Sequence, residues 1–369
     1  MIWLLCGALA PGFLIACAAG FLVRRRAAGW GLVDRPGHRK VHQTPTPLGG
    51  GLAIWLGVVL TFAAGTLALV LVNRGMLPAE SLPEFIPPHL AGLTQQVPRL
   101  WIVLALGTAL VALGLVDDLR GLDWRLRLAV QTGVAALVVF WQGWRVTLFL
   151  DQPLLTGLFS TFWIVLLVNS FNMLDNMDGL SAGVATIAAG TLAGVLLLFP
   201  DPVSRQPQIF VAGLLLVLVG SLLGFLVHNR PPARLFMGDA GSYFLGYLLA
   251  VATMMATFTG ERLPTHGILA PLLVLAVPLY DTLTVVLIRL RAGRSPFEGD
   301  KSHFSHRLVE LGMSKAQAVL TIYLTTATCG LLAFLLHQVN ETGAAIIVAI
   351  ALCVLTLIAI LETAGRRGR

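Results

Sequence analysis

Charged side chains are scarce in this chain: Asp, Glu, Lys and Arg together make up 12% of its 369 residues. Soluble domains carry about 25%, so the composition excludes an ordinary water-soluble enzyme. Hydrophobic residues make up 57%, and the mean hydropathy is +0.84. No segment between the apolar runs is long enough for a separate soluble domain. We therefore predict a single polytopic membrane domain over residues 1–369.

Several common motifs are also missing. There is no GxxxxGK and no GxGxxG, which excludes two familiar nucleotide-binding loops. The cysteines form no CxxC and have no nearby histidine, which argues against zinc sites and disulfides. They are Cys6, Cys17, Cys329 and Cys353, all within apolar runs. The net charge of +7 does not indicate nucleic-acid binding, because basic residues in membrane proteins mark cytoplasmic loops and anionic lipids.

Long apolar runs dominate the rest of the chain. A helix needs about 20 apolar residues to cross a bilayer, and this criterion predicts an all-α protein with 11 transmembrane helices. They are expected at residues 2–22, 49–72, 100–116, 127–144, 154–171, 180–199, 209–227, 240–260, 267–288, 317–337 and 343–362. The proline-rich stretch 73–98 is predicted to be a stiff connector without clustered acids or histidines.

Basic residues predict the orientation. If the N-terminus lies outside, 20 of the 25 Lys and Arg residues fall in segments on the cytoplasmic side. Such an excess is typical of cytoplasmic loops. We therefore expect an N-out, C-in protein of the inner (plasma) membrane.

Carboxylates cluster at the predicted cytoplasmic ends of these helices. Asp117 and Asp118 stand side by side where the third run ends, and such neighbours repel unless a cation lies between them. The segment NSFNMLDNMDGL holds two acids and three asparagines but no base. On a continuous helix, Asn172, Asp175 and Asn176 would share one face. A structural polar network is the alternative, but a ligand or metal accounts better for so many polar groups at a membrane edge.

Two further acids allow two interpretations each. Asp239, after the helix-breaking Pro231 and Pro232, would by itself be an N-cap of the eighth helix, worth about 1 kcal/mol. Asp281 lies halfway along the ninth helix, where an unpaired charge is costly. It is either a buried structural acid or part of the site.

Two basic segments are expected on the same side of the membrane. The first holds His38, Arg39, Lys40 and His42 before the turn TPTPLGG, a combination that suits phosphate oxygens, with lipid headgroups as the alternative. The second, SPFEGDKSHFSHRL, holds Lys301, His303, His306 and Arg307. It lacks a thiolate or a third histidine, so phosphate contact is favoured over metal binding.

Together these groups indicate phosphoryl transfer at a membrane surface. Carboxylates without thiolates select a hard cation, most naturally Mg²⁺ with Mn²⁺ as an alternative, held by one or two carboxylates and substrate phosphates. One substrate would be water-soluble and the other a lipid. An ion-coupled transporter is the rival from another class. It should place acids near the bilayer midplane, where only Asp281 would suit it.

Six motifs in order give the chain a family resemblance. They are HRKVHQTPTPLGG, VDDL, NSFNMLDNMDGL, FMGDAGS, PLYDTL and SPFEGDKSHFSHRL. The chain resembles the polyprenyl-phosphate N-acetylhexosamine-1-phosphate transferases (glycosyltransferase family 4), which include the phospho-N-acetylmuramoyl-pentapeptide transferases. The resemblance implies transfer of a sugar-1-phosphate from a UDP-N-acetylhexosamine to polyprenyl (undecaprenyl) phosphate, with release of UMP. This is the first membrane step of a cell-envelope polysaccharide such as lipopolysaccharide, and a homodimer is an expected assembly.

The resemblance also implies roles for individual residues. Asp239 matches the principal Mg²⁺ ligand, Asp175 is a second candidate ligand, and Asp117 with Asp118 matches a catalytic pair that deprotonates the lipid phosphate or supports the metal. The candidate substrate-binding residues, from motif and charge together, are Lys40, Asn172, Asp178, Asn229, Phe236, His303, His306 and Arg307. Asn229 and Phe236 fall where the muramoyl enzymes hold uracil.

One departure bears on the substrate. Sugar-specific members without a peptide often show His-X-His-His, and the muramoyl enzymes have three consecutive histidines, whereas Ser305 replaces the middle histidine here. This favours a UDP-N-acetylhexosamine without a peptide, most naturally UDP-GlcNAc. The muramoyl-pentapeptide transferase is the alternative.

The charge distribution makes a testable prediction about topology. Single cysteines at positions 39 and 294 should react with a membrane-impermeant thiol reagent only from the cytoplasmic side, and one at position 84 only from outside. The measurement is labelling of intact cells against inverted vesicles. Labelling of positions 39 and 294 from outside would overturn the predicted orientation.

Overall fold

The computed structural model describes residues 2–34, 45–78, 86–145, 152–199, 206–256, 258 and 265–367. This part of the chain is almost entirely helical, as predicted. The helices are α1 Ile2–Arg26, α2 Gly50–Asn73, α3 Leu90–Arg120, α4 Trp124–Gln142, α5 Pro153–Leu174, α6 Leu180–Leu198, α7 Ile209–Asn229, α8 Gly238–Met255, α9 Ala270–Val274, α10 Ala276–Arg291, α11 Phe304–Glu310, α12 Lys315–Leu336 and α13 Glu341–Arg367. Two short strands, β1 Val33–Asp34 and β2 Thr46–Pro47, pair in antiparallel fashion.

Each of the 11 predicted spans corresponds to a helix or a helix pair. Within the described ranges, eight helices are long and apolar enough to cross a membrane, and α9 with α10, bent by 68°, makes a ninth if counted as one span. The two remaining predicted spans are α4 and α8, which do not meet this criterion.

The third helix begins earlier than the predicted span 100–116, within the predicted connector 73–98. A short 3₁₀ helix occupies Pro87–His89, and α3 begins at Leu90 and continues through Pro98. Membrane helices tolerate an internal proline because neighbouring groups satisfy the freed backbone carbonyl. The proline count alone therefore overestimated the length of the loop.

Helix α8 is the central element of the bundle. Residues 240–254 are all buried, and a helix that is enclosed on every side belongs to the interior of the fold. It packs against α3 and α5. The phenol of Tyr247, fully buried, donates a hydrogen bond to the carbonyl oxygen of Val103 at 3.0 Å. The start of α8 is therefore surrounded by other helices.

Glycines allow backbones to meet at this start. A Cβ on Gly114 of α3 would lie 2.3 Å from the amide nitrogen of Ala240, and one on Gly51 of α2 would lie 2.2 Å from that of Gly241. Gly238 has φ +74°, a conformation that favours glycine. Helices α2 and α3 thus both touch the first turn of α8 through their main chains.

The turn TPTPLGG holds the segment that leads into α8. The amide of Phe236 donates to the carbonyl of Pro47 at 2.8 Å, and the amides of Gly50 and Gly51 donate to the carbonyls of Phe236 and Met237 at 2.8 and 2.9 Å. The glycines expected to bind phosphate therefore have these two N–H groups committed to the protein itself.

The contact of Gly114 with α8 makes a prediction. Gly114→Ala should destabilise the protein by about 1–3 kcal/mol, because the added methyl meets backbone atoms that cannot rotate away. Gly133→Ala in α4 is the matched control, since a Cβ there meets nothing within 4 Å. The measurement is the thermal unfolding midpoint of the detergent-purified variants. Equal midpoints for the two variants would contradict the close approach.

Candidate active site

A cavity of about 520 Å³ opens at the end of the bundle where α8 begins. Its polar lining comes from the acidic motifs and the histidine segment. These residues are Asp34, Asp118, Asn172, Asp175, Asn176, Asp178, Asn229, Asp239, Asp300, His303, His306 and Lys315, together with the predicted Phe236. Asp117 and Arg307 do not line it. Lys40, with His38, Arg39 and His42, lies outside the described residues.

Asp118 caps helix α8 from a different helix. Its Oδ1 accepts a hydrogen bond from the amide of Asp239 at 2.9 Å, and its Oδ2 lies 3.5 Å from the amide of Ala240. The first N–H groups of a helix have no partner within the helix. Asp118 satisfies two of them and still faces the cavity.

The interpretation of Asp239 as a simple N-cap is wrong. Its carboxylate does not close the helix; instead Oδ1 accepts a hydrogen bond from Nδ2 of Asn172 at 2.6 Å. The same amide nitrogen lies 3.0 Å from the hydroxyl of Ser242. Asp118 performs the capping, so the side chain of Asp239 is directed at α5 and the cavity.

The expected helical face at residues 172–176 is not formed. Helix α5 ends at Leu174, and Asp175 occupies its C-cap position. The turn that follows brings Asp178 to the cavity, where its Oδ2 accepts a hydrogen bond from the amide of Ala233 at 2.9 Å. The polar residues therefore converge through a turn and not through helical spacing.

The pKa of Asp175 reflects its burial and the negative charge around the cavity. Burial, together with the negative charges of Asp118 and Asp178, raises the pKa of Asp175 to about 7. Each unit of such a shift corresponds to about 1.4 kcal/mol of unfavourable interaction for the charged form. A cation between these carboxylates would remove that penalty.

Asp117 has different hydrogen-bond partners from Asp118. Its Oδ1 accepts from the amide of Leu122 at 2.7 Å, and its Oδ2 accepts from Nη1 of Arg127 and from the phenol of Tyr243, both at 2.9 Å. Only 6% of its surface is exposed. Arg127 and Tyr243 were not recognised from the sequence, because Arg127 looked like one more positive-inside residue.

Asn229 joins two walls of the cavity. Its Oδ1 accepts from the amide of Gly179 at 2.9 Å, and its Nδ2 donates to the carbonyl of Leu235 at 2.9 Å. The side-chain amide therefore holds the NMLDNMDG turn against the segment that leads into α8. Phe236 lines the cavity directly beside this junction.

The histidine segment also contributes to the cavity wall. His303 and His306 both line it, with ring centroids 6.3 Å apart. Burial, and then the neighbouring His303 and Lys301, lower the pKa of His306, so it is neutral at physiological pH. Ser305 donates a hydrogen bond to Oδ1 of Asn176 at 2.5 Å, so the serine that departs from the family pattern ties this segment to the turn after α5.

Arg307 is turned away from the cavity. Its Nε donates to Glu362 of α13 at 2.9 Å, its Nη2 donates to the hydroxyl of Thr284 at 3.0 Å, and its Nη1 donates to the carbonyl of Ser302. Only 3% of Arg307 and 4% of Glu362 are exposed. This buried pair joins the histidine segment to the last helix. The sequence had predicted a phosphate contact for Arg307 instead.

The lining carries a large excess of negative charge. Six aspartates face the cavity, while Lys315 is the one Lys or Arg in the described part of the lining. No three His, Cys, Asp or Glu side chains within the described ranges are arranged to hold a metal by themselves. Carboxylates without thiolates select a hard cation such as Mg²⁺, which is typically held by one or two carboxylates plus water and substrate phosphates. Asp239 and Asp175, with Asp118 beside them, are the groups suited to hold it.

Comparison with known proteins gives consistent matches. The model of glycosyl transferase family 4 matches residues 100–257. A probable undecaprenyl-phosphate N-acetylglucosaminyl 1-phosphate transferase of Bacillus subtilis (strain 168) is 34% identical over 313 residues, covering 82% of this chain and 76% of the relative. A decaprenyl-phosphate N-acetylglucosaminephosphotransferase of Mycobacterium tuberculosis (strain H37Rv) is 34% identical, covering 94% and 85%.

A third relative has a lower sequence identity but is covered over a similar share of its length. The undecaprenyl-phosphate alpha-N-acetylglucosaminyl 1-phosphate transferase of Escherichia coli (strain K12) is 28% identical over 344 residues, covering 89% of this chain and 84% of the relative. The prediction of the family from its motifs is thereby confirmed. The chain belongs to glycosyl transferase family 4.

Proposed function

We propose that this protein transfers N-acetylglucosamine-1-phosphate from UDP-N-acetylglucosamine to polyprenyl phosphate and releases UMP. The observation that carries the proposal is the carboxylate-lined cavity at the start of α8, which collects the motifs of a family whose matched relatives are named for this reaction. A cavity of this size suits a sugar nucleotide.

The proposed setting is the cytoplasmic face of the inner membrane, with 11 spans, the N-terminus outside and the C-terminus inside. The excess of basic residues in the segments around the cavity supports this orientation. Helix α8 would then cross the membrane enclosed by other helices, and α4 would cross it beside α3 and α5 with an apolar face exposed. The donor would enter from the cytoplasm and the lipid from the bilayer.

We propose Mg²⁺ as the cofactor, held by Asp239 and Asp175. A diphosphate cannot approach six aspartates closely without a compensating cation. When bound, the metal would neutralise charge on the diphosphate oxygens. The chain's own part is to keep Asp239 directed at the cavity, which the hydrogen bonds from Asn172 and to Asp118 accomplish.

In the proposed reaction an oxygen of polyprenyl phosphate forms a bond to the β-phosphorus of the donor. The bond from that phosphorus to the oxygen bridging the two phosphates breaks, and UMP leaves with that oxygen. The two products would be polyprenyl-diphosphate-N-acetylglucosamine and UMP. A transporter has less support, because Asp281, the one acid suited to it, is bonded to the histidine segment.

We assign different parts to the two adjacent acids. Asp118 faces the cavity and is the candidate to accept a proton or support the metal. Asp117 accepts hydrogen bonds from three donors, and we propose that it holds Arg127 in place for the lipid phosphate. Arg127 is partly exposed, which leaves its guanidinium accessible to a ligand.

UMP release from purified protein tests the activity. The protein should release UMP from UDP-N-acetylglucosamine only when polyprenyl phosphate and Mg²⁺ are both present. UDP-N-acetylmuramoyl-pentapeptide and other UDP-sugars are the comparison donors. Faster release from the peptide-bearing donor would favour the muramoyl-pentapeptide alternative, and no release from any donor would refute the proposal.

Replacement of Asp239 tests the metal site. Asp239→Asn should abolish turnover, because the amide cannot neutralise a cation, while the fold should survive because Asp118 still caps α8. Asp123→Asn is the matched control, since Asp123 is an exposed N-cap of α4 and asparagine caps equally well. The measurements are kcat and the Mg²⁺ concentration for half-saturation. Activity within a few-fold of wild type would move the metal elsewhere.

The two roles considered for Asp117 give opposite kinetics. If Asp117 holds Arg127, both Asp117→Asn and Arg127→Gln should reduce kcat/KM for polyprenyl phosphate by roughly 10–100-fold. The double variant should be no worse than either single one. If Asp117 is instead a general base, its replacement lowers kcat by about 10²–10⁴-fold. Raising the pH would then restore activity, as the phosphate (second pKa ~6) becomes dianionic. Such a rescue would refute the holding role.

A further inference from the structure

Asp281 lies behind the cavity wall, with its whole side chain enclosed. Its exposure is 0%, and both carboxylate oxygens point at the histidine segment. Oδ1 accepts a hydrogen bond from the amide of Phe304 at 2.6 Å, and Oδ2 lies 3.0 Å from Nδ1 of His303. Within the described ranges, His303 is the one basic side chain within hydrogen-bonding distance of it. An unpaired carboxylate is costly at such a position, so the two contacts explain why it persists there.

These contacts determine which nitrogen of His303 carries a hydrogen. A carboxylate is only an acceptor, and one of its oxygens already receives the amide of Phe304. Nδ1 of His303 must therefore be the donor in its contact with Asp281. In the neutral ring this leaves Nε2 with a lone pair, and the ring that bears it lines the cavity.

We propose that Asp281 is a positioning residue that fixes the tautomer and the ring orientation of His303, so that Nε2 is presented to the sugar nucleotide as a hydrogen-bond acceptor. The substrate group that matches is a hydroxyl or amide N–H, since phosphate oxygens have no hydrogen to give. This inference rests on the proposed function for the identity of the ligand. The tautomer itself rests on the geometry alone.

The variant Asp281→Asn distinguishes a positioning role of Asp281 from a purely structural one. If its single carbonyl oxygen receives the amide of Phe304, its NH₂ group faces His303, and Nδ1 must become the acceptor. The hydrogen then moves to Nε2, which is the wrong atom for the proposed contact. The fold keeps both hydrogen bonds, so stability should change little.

The kinetic experiment compares Asp281→Asn in two backgrounds. With His303 present, kcat/KM for the UDP-sugar should fall roughly 10–100-fold, with the thermal unfolding midpoint close to wild type. In a His303→Gln background, which has no ring to reorient, the same change should alter kcat/KM less than about threefold. Wild-type kcat/KM in Asp281→Asn, or an equal loss in both backgrounds, would overturn the proposal.

A spectroscopic measurement reads the tautomer without any activity. In protein labelled with ¹⁵N-histidine, the His303 resonances, assigned by their loss in His303→Gln, should report a hydrogen on Nδ1 in wild type. In Asp281→Asn they should report it on Nε2. The same tautomer in both proteins would refute the role of Asp281. Absence of UMP release with the expected tautomer change would refute the proposed function instead.

Discussion

The hydrogen bond from the first turn of α8 to the carboxylate of Asp118 is the contact on which the site depends. It lets a residue of α3 close the N-terminus of the central helix. Because Asp118 caps the helix, Asp239 is free to direct its own carboxylate at Asn172 and the cavity. Gly114 and Gly238 leave the space that this arrangement needs. These two glycines and Asp118 together determine where the carboxylate of Asp239 lies.

Electrostatic imbalance is the second constraint. The cavity gathers aspartates from five different segments of the chain, and few cations face them within the described ranges. Backbone amides satisfy part of this charge, as for Asp118 and Asp178. Burial, together with the negative charge that is not compensated, raises the pKa of Asp175. Neighbouring carboxylates of this kind would be stabilised by the proposed divalent cation and its phosphate ligand.

The histidine segment forms part of the cavity wall and is held there by polar pairs. Asp281 bonds His303, Ser305 bonds Asn176, and Arg307 pairs with Glu362. None of these three links is local in sequence. Together they join the turn after α5, helix α10 and helix α13 to the histidine segment. These three links explain how the short helix α11 is held in position.

The sequence by itself determined the all-α membrane class, the positions of the apolar helices and the family, because hydropathy and short motifs are local properties. It also identified most of the polar lining residues, such as Asp239 and His303, because acids and imidazoles stand out in an apolar chain. Only the tertiary structure decided their partners. That Asp118 caps α8, that Asp117 binds Arg127 and that Arg307 turns toward Glu362 all depend on which helices pack together. Spacing along one helix carries no information about such contacts, since the donor and acceptor come from different helices.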